Sequence, residues 1–272
     1  VWRVTVLTTR TAKRTELREV VYAGGTVEIS ITLRPGGGDL LLCLHGLGCA
    51  KESFDVANEE DRLAGFTICA FDFPGHGASG RLADPSLYSI QTYADITVSL
   101  VRQLEPGRLF LLCHSMGCAV GLVASQELRT SGFISVEGNL VAGDCGLVSR
   151  NAAEQPRDRF VDTEYPRFRS SLAASSRTDL RTWGGWYAQA EPVALHNAAR
   201  SLVEWSDSGK LLDLFTSQPG ATYIHGSDSD LDYLLPALRG IPIHSIPGAG
   251  HFPMVDNPEA FWRTVADIVT GH

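Results

Sequence analysis

The chain has 272 residues, 44% of them hydrophobic, and a formal net charge of −8. Length and apolar fraction suffice for one sizeable core and suit a single domain. The acidic balance argues against a nucleic acid or an anionic membrane as partner, since both call for a basic patch.

In chain order, Leu17–Tyr22 and Val27–Leu33 alternate in polarity about Ala23-Gly24-Gly25 and predict a hairpin. After Pro35-Gly36-Gly37-Gly38 comes an apolar strand, Asp39–Leu44, ending in His45-Gly46-Leu47-Gly48. A helix is expected over about Ser53–Leu63, then a strand over Phe66–Phe71 that runs into Asp72-Phe73-Pro74-Gly75-His76-Gly77-Ala78-Ser79. A second helix over about Ile90–Leu104 precedes the strand Leu109–Cys113. Short strands over Phe133–Glu137, Ala221–His225 and Ile241–Ile246 follow, and a helix over Pro258–Thr270 closes the chain. Strands alternating with helices argue for a parallel sheet with right-handed crossovers. The stretch between the strands at 133 and 221 exceeds what one crossover helix needs. It reads as a lid over residues 148–205, inserted in a core made of 1–147 and 206–272.

The chemistry concentrates where the Leu109–Cys113 strand stops. Cys113-His114-Ser115-Met116-Gly117 leads directly into a helix-like segment, AVGLVASQEL. A strand-to-helix turn that tight tolerates only small residues two positions either side of its tip, and it lifts the tip serine out of the sheet. The usual first glycine is replaced by Cys113, still small enough. A serine hydroxyl needs a base within hydrogen-bond reach, and Pro247-Gly248-Ala249-Gly250-His251 offers His251 in a glycine-rich loop after the last strand. The His45-Gly46-Leu47-Gly48 turn can aim a backbone N–H at the oxygen of a tetrahedral intermediate.

These four blocks, in this order and spacing, resemble the α/β-hydrolase-fold serine hydrolases over roughly residues 20–270, least so in the middle. The resemblance implies a mostly parallel eight-stranded sheet flanked by helices and a Ser–acid–His order. It implies Ser115 as nucleophile, His251 as base, and the backbone N–H groups of Leu47 and Met116 as oxyanion hole.

The acid has competing candidates. In the resembling family it usually follows the penultimate strand, where this chain reads His225-Gly226-Ser227-Asp228-Ser229-Asp230; Asp228 stands one residue early and Asp230 one late. Some members carry it one strand earlier, and there Phe133-Ile134-Ser135-Val136-Glu137-Gly138 ends an apolar strand on a carboxylate. Glu137 would sit at the C-terminal lip of the sheet, where ligands bind in open parallel sheets. Glu137 is therefore favoured, Asp228 is the alternative with an Asx turn as its plain reading, and Asp144 stands third. His45, His76 and His114 read as packing and loop-shaping residues, and His225 and His244 as strand residues.

The lid stretch holds Trp183, Trp186, Trp205, Phe160, Tyr165, Phe168 and Tyr187, with charges that nearly cancel. Aromatic walls suit a bulky apolar acyl or ring group, although such rings also serve to pin a lid to its core. The expected activity is hydrolysis of a carboxylic ester, lactone or thioester through an acyl-enzyme, without cofactor or metal, on a small-molecule substrate. C–C bond hydrolases, haloperoxidases and lyases on the same fold stay open, as does a ligand receptor that keeps the triad. No apolar run reaches 18 residues, and the first residues lack a signal-peptide core. The six cysteines show no Cys-x-x-Cys or metal spacing, so a cytoplasmic, reducing setting is expected.

Overall fold

The computed structural model describes residues 12–146 and 148–271; the alternating segment at 1–11 lies outside them. β1 (Arg14–Tyr22) and β2 (Gly25–Arg34) form the expected hairpin, and β2 then pairs antiparallel with β4 (Phe66–Phe71). The rest of the sheet is parallel: β3 (Asp39–Leu44), β4, β5 (Leu109–His114), β6 (Gly132–Val136), β7 (Ala221–Gly226) and β8 (Ile243–Ile246). The eight strands lie in the order β1-β2-β4-β3-β5-β6-β7-β8. β3 and β5 are buried along nearly their whole length, which is why they read as continuous apolar runs rather than alternating ones.

α1 (Ile90–Leu104) starts where the Ser89 hydroxyl accepts the Thr92 N–H, and α2 (Met116–Ala124) leaves β5 with no intervening loop. The sheet order reverses around β3 and β5, so the ends of these strands frame the crevice where open α/β sheets bind ligands.

The helix expected over Ser53–Leu63 is instead two 3₁₀ segments, Lys51–Glu59 and Asp61–Leu63. Its first residue is held from elsewhere: the Lys51 N–H and ammonium donate to the two oxygens of Asp72 at 2.7 and 2.8 Å. The last strand begins two residues later than expected, because Pro242 has no N–H for a ladder; only its carbonyl is used, by the Tyr223 N–H at 2.9 Å.

Between β6 and β7 the chain is helical: α3 (Ser149–Glu154), α4 (Arg157–Arg159), a π-helical turn at Phe160–Glu164, α5 (Tyr165–Ala173), α6 (Thr178–Tyr187), α7 (Pro192–Asp207) and α8 (Lys210–Thr216). Aromatic pairs knit these together and to the sheet end. Tyr165 stacks on Tyr187 at 5.0 Å, and Trp183 meets Phe252, beside His251, at 5.4 Å. α9 (Pro253–Asp256) and α10 (Pro258–Thr270) finish the fold.

Candidate active site

Ser115 ends β5 with φ 51° and ψ −123°, a conformation that L side chains rarely adopt. The strain is held by the frame around it. The Ser115 N–H donates to Val136 O at 3.0 Å and its carbonyl accepts the Cys118 N–H at 2.9 Å. A Cβ on Gly117 would overlap the Leu44 and His45 carbonyls, so only glycine lets the elbow lie on the end of β3. Cys113 fits in the first small position because Gly121 of α2 leaves room for its sulfur.

Glu137 repeats the pattern one strand over. His114 of β5 pairs with Val136 of β6, so Ser115 and Glu137 are the next residues on neighbouring strands. Glu137 also has positive φ, 47°, and its N–H extends the ladder to Ile224 O at 3.0 Å. Its carboxylate is buried. Oε1 accepts the Gly226 N–H at 2.8 Å, and Oε2 lies 3.6 Å from Nδ1 of His251, an ion-pair separation rather than a hydrogen bond.

The His251 loop is held on three sides. The His251 carbonyl takes a hydrogen bond from His114 Nε2 at 2.8 Å, and the Gly250 N–H donates to Asp256 Oδ2 at 2.9 Å. Gly226, at the end of β7, has the Ala249 and Gly250 carbonyls where a Cβ would stand. Ser115 and His251 line one small cavity of about 30 Å³ with Leu47, Cys49, His114 and Trp183 among its walls. Asp228 is not brought to this histidine. It is exposed, its carboxylate takes the Ser227 hydroxyl at 3.0 Å, and its N–H donates to Ala249 O. Asp144 also lines the cavity, with Oδ2 accepting the Leu140 and Val141 N–H groups and Oδ1 the Tyr233 hydroxyl.

Two backbone N–H groups beside Ser115 in sequence or in the cavity wall have no backbone acceptor among the described residues. Met116 opens α2, so its N–H has no acceptor within the helix. The Leu47 N–H donates to no backbone carbonyl among the described residues. The Leu47 turn is gripped from the helical insertion: Trp183 Nε1 donates to Leu47 O at 3.3 Å, and Gly48, φ +66°, lies against Tyr187.

His45, His76 and His114 are buried rings whose burial favours the neutral form. His45 Nδ1 donates to Gly46 O at 2.8 Å while Nε2 accepts the Phe73 N–H at 3.0 Å, tying the two glycine-rich turns together. Burial pushes its pKa down to about 4, and that of the neighbouring His76 to about 3. His114 is held well below the usual imidazole value, again by burial first. Burial raises the Cys49 and Cys118 thiols, so neither is a ready thiolate. No group of three or more His, Cys, Asp or Glu among the described residues could hold a metal ion.

Sequence reasoning missed Asn139. Two residues past Glu137, it is 2% exposed; its Oδ1 is 3.5 Å from Ser115 Oγ and its Nδ2 is 3.6 Å from Cys145 Sγ. Nothing in the linear spacing signals this, because the meeting depends on Gly138, whose missing side chain lets the chain pass Cys118 and Ser135.

Residues 41–264 match the model of the alpha/beta hydrolase family. The chain is 24% identical over 263 residues to 2-(acetamidomethylene)succinate hydrolase of Mesorhizobium japonicum, covering 86% of this chain and 89% of that protein. It is 28% identical over 265 residues to the pimeloyl-[acyl-carrier protein] methyl ester esterase of Edwardsiella ictaluri, covering 88% and 96%. Among solved structures it is similar to the N-acyl homoserine lactonase AidH complexed with N-butanoyl homoserine, with a TM-score of 0.74, 19% identity and 94% and 96% coverage. The fold, the strained serine at the end of β5 and the family match over most of its length agree: this chain belongs to the alpha/beta hydrolase family.

Proposed function

We propose that the chain is a serine hydrolase of carboxylic esters, lactones or thioesters, with Ser115 as nucleophile, His251 as base and Glu137 as acid. The observation that carries this reading is the paired geometry at the C-terminal ends of β5 and β6. Ser115 and Glu137 occupy adjacent register positions at positive φ, and His251 reaches Glu137 on one side while sharing the Ser115 cavity on the other.

His251 takes the Ser115 proton as Oγ attacks the carbonyl carbon, and the Leu47 and Met116 amides hold the oxygen that becomes negative. The imidazolium then protonates the departing alkoxide or thiolate. Water enters, gives a proton to His251 and attacks the acyl-enzyme, and the carboxylic acid leaves as the proton returns to Oγ. Glu137 holds the imidazole with Nδ1 protonated and stabilises its charge while it is protonated; it takes no proton itself.

Residues 148–205 act as the lid in this reading. Between its helices lies a second cavity of about 350 Å³ with Ala152, Phe160, Phe168 and Tyr187 among its walls, and Val148 lines both cavities. That volume suits the apolar acyl or ring group of a small-molecule substrate whose carbonyl sits at Ser115. A cytoplasmic setting is supported by the six thiols, all unpaired and buried. No helix among the described residues is long and apolar enough to cross a membrane.

The test is turnover of short para-nitrophenyl esters, with covalent labelling by a fluorophosphonate. Sustained turnover and labelling of the native protein are expected. Ser115→Ala should abolish labelling and retain only the roughly 10³–10⁴-fold rate over water that binding and the oxyanion site supply. A single burst without turnover would replace the hydrolase reading by a ligand receptor, and labelling of the alanine variant would remove Ser115 from the mechanism.

A further inference from the structure

The cavity at Ser115 carries a charge that hydrolysis does not use. Of the described residues lining it, Asp144 is the only Asp, Glu, Lys or Arg. Its carboxylate is fixed by three donors at 2.7, 2.8 and 2.7 Å: the Leu140 and Val141 N–H groups on Oδ2 and the Tyr233 hydroxyl on Oδ1. These bonds shape the turn after β6, but an asparagine would make the same turn without a charge.

Among the described residues no Lys or Arg lines the cavity, and those that come near it are paired elsewhere. Arg150 approaches the Asp144 turn, with Nη2 3.3 Å from Ala142 O, but its guanidinium forks onto Asp207 at 3.1 and 2.5 Å. Arg177 passes near Gly250, yet it is bound to Asp179 at 3.1 and 2.6 Å. Lys51 is consumed by Asp72 at 2.8 Å and Glu52 at 2.8 Å. The remaining acidic group nearby, Glu137, adds negative charge behind His251.

We infer that Asp144 sets the charge of the substrate: the site accepts acyl groups that are neutral or cationic near the scissile carbonyl and rejects those carrying a carboxylate there. The inference rests on the serine-hydrolase reading and narrows its substrate class. Like charges held about 6 Å apart at a protein surface repel enough to cost roughly tenfold or more in kcat/KM. The same carboxylate attracts a cation by a comparable factor.

Three ethyl esters of four-carbon acids test this by pH-stat titration at neutral pH: ethyl butanoate, ethyl hydrogen succinate, and the ethyl ester of γ-(trimethylammonio)butanoate. In the native enzyme the neutral ester should exceed the anionic one by about tenfold or more in kcat/KM, with the cationic ester at least equal to the neutral. In Asp144→Asn the anionic-to-neutral ratio should rise to within about threefold of unity, and the cationic-to-neutral ratio should fall. Movement in opposite directions is the mark of a charge; lost packing would shift both ratios alike. The inference is overturned if the native enzyme turns over the succinate ester as well as the butanoate, or if the variant moves both ratios the same way. The native ranking decides the matter by itself should Asp144→Asn not fold. Failure on ethyl butanoate and on para-nitrophenyl acetate alike would instead overturn the hydrolase reading, and this one with it.

Discussion

At Glu137 two demands meet in one side chain: Oε1 takes the Gly226 N–H at 2.8 Å while Oε2 faces His251 at 3.6 Å. The first contact fixes the carboxylate, so in the proposed mechanism the second needs no further ordering when the imidazole becomes charged. Glu137→Gln keeps the shape but loses the charge, and kcat should fall by roughly 10²–10⁴. Asp228→Asn should retain most of kcat, since the exposed Asp228 serves its own turn and asparagine makes the same local bond. Steady-state kinetics on both variants, with folding checked by circular dichroism, gives the comparison; a dead Asp228→Asn beside an active Glu137→Gln reverses the assignment. The candidacy of Glu137 was legible because a carboxylate ending an apolar strand before a glycine has few structural uses. Asn139 was not legible at all, and Asp144 was read only as a third candidate for the acid, not as a wall of the cavity. The approach of Asn139 to Ser115 and the place of Asp144 in the cavity wall depend on how the turn after β6 folds back over Cys145 and Tyr233, and no periodicity encodes that.

Elements built from continuous apolar runs, β3 to β6, were readable to within a residue or two because burial on both faces leaves one pattern. The 3₁₀ segments after β3 were not, since the Asp72 ion pair that pins their start bridges 21 residues. The π-turn at Phe160–Glu164 was equally hidden. It lies where α4 meets α5, and Phe160 and Glu164 stand in the wall of the 350 Å³ cavity between the helices. A stretch longer than one crossover helix was legible between the strands at 133 and 221, but the grip of its helices on the Leu47 turn through Trp183 was not. That grip couples α6 to the proposed oxyanion hole. Trp183→Phe keeps an aromatic ring against Phe252 and removes the N–H that holds Leu47 O. It should lower the unfolding free energy by about 1 kcal/mol. It should also reduce kcat by roughly tenfold with a smaller change in KM, because small displacements of oriented groups cost transition-state stabilisation first. An unchanged kcat would separate the insertion from the chemistry.

For the molecule as a whole, the resemblance implied an eight-stranded, mostly parallel sheet and the alternating pattern a hairpin; that the hairpin forms one edge is seen only in the fold. Acid stability is a property of that assembled core, because the histidines beneath the site are buried as neutral rings. His45 and His76 have pKa values lowered to about 4 and about 3, from 6.5 for a free imidazole, and His114 is lowered as well. A group depressed in the folded state is protonated first in the unfolded chain, so unfolding takes up protons as pH falls below 6.5. The stabilisation is full above 6.5 and is lost progressively towards the folded values. Between pH 7 and pH 5, His45 and His76 should each remove roughly 2 kcal/mol from the unfolding free energy. Asp144 and Asp256, whose values are raised by burial, work in the opposite sense, since their folded forms bind protons more readily. They offset part of the histidine loss wherever the pH lies below their raised values. Urea denaturation at pH 7 and pH 5 should show a net loss approaching about 4 kcal/mol. His76→Phe fills the same space beside Tyr93 without a titrating nitrogen, and about 2 kcal/mol of that loss should disappear. Equal stability of the native protein at the two pH values would mean that these rings exchange protons with solvent in the folded state, and that the turns they tie together are open.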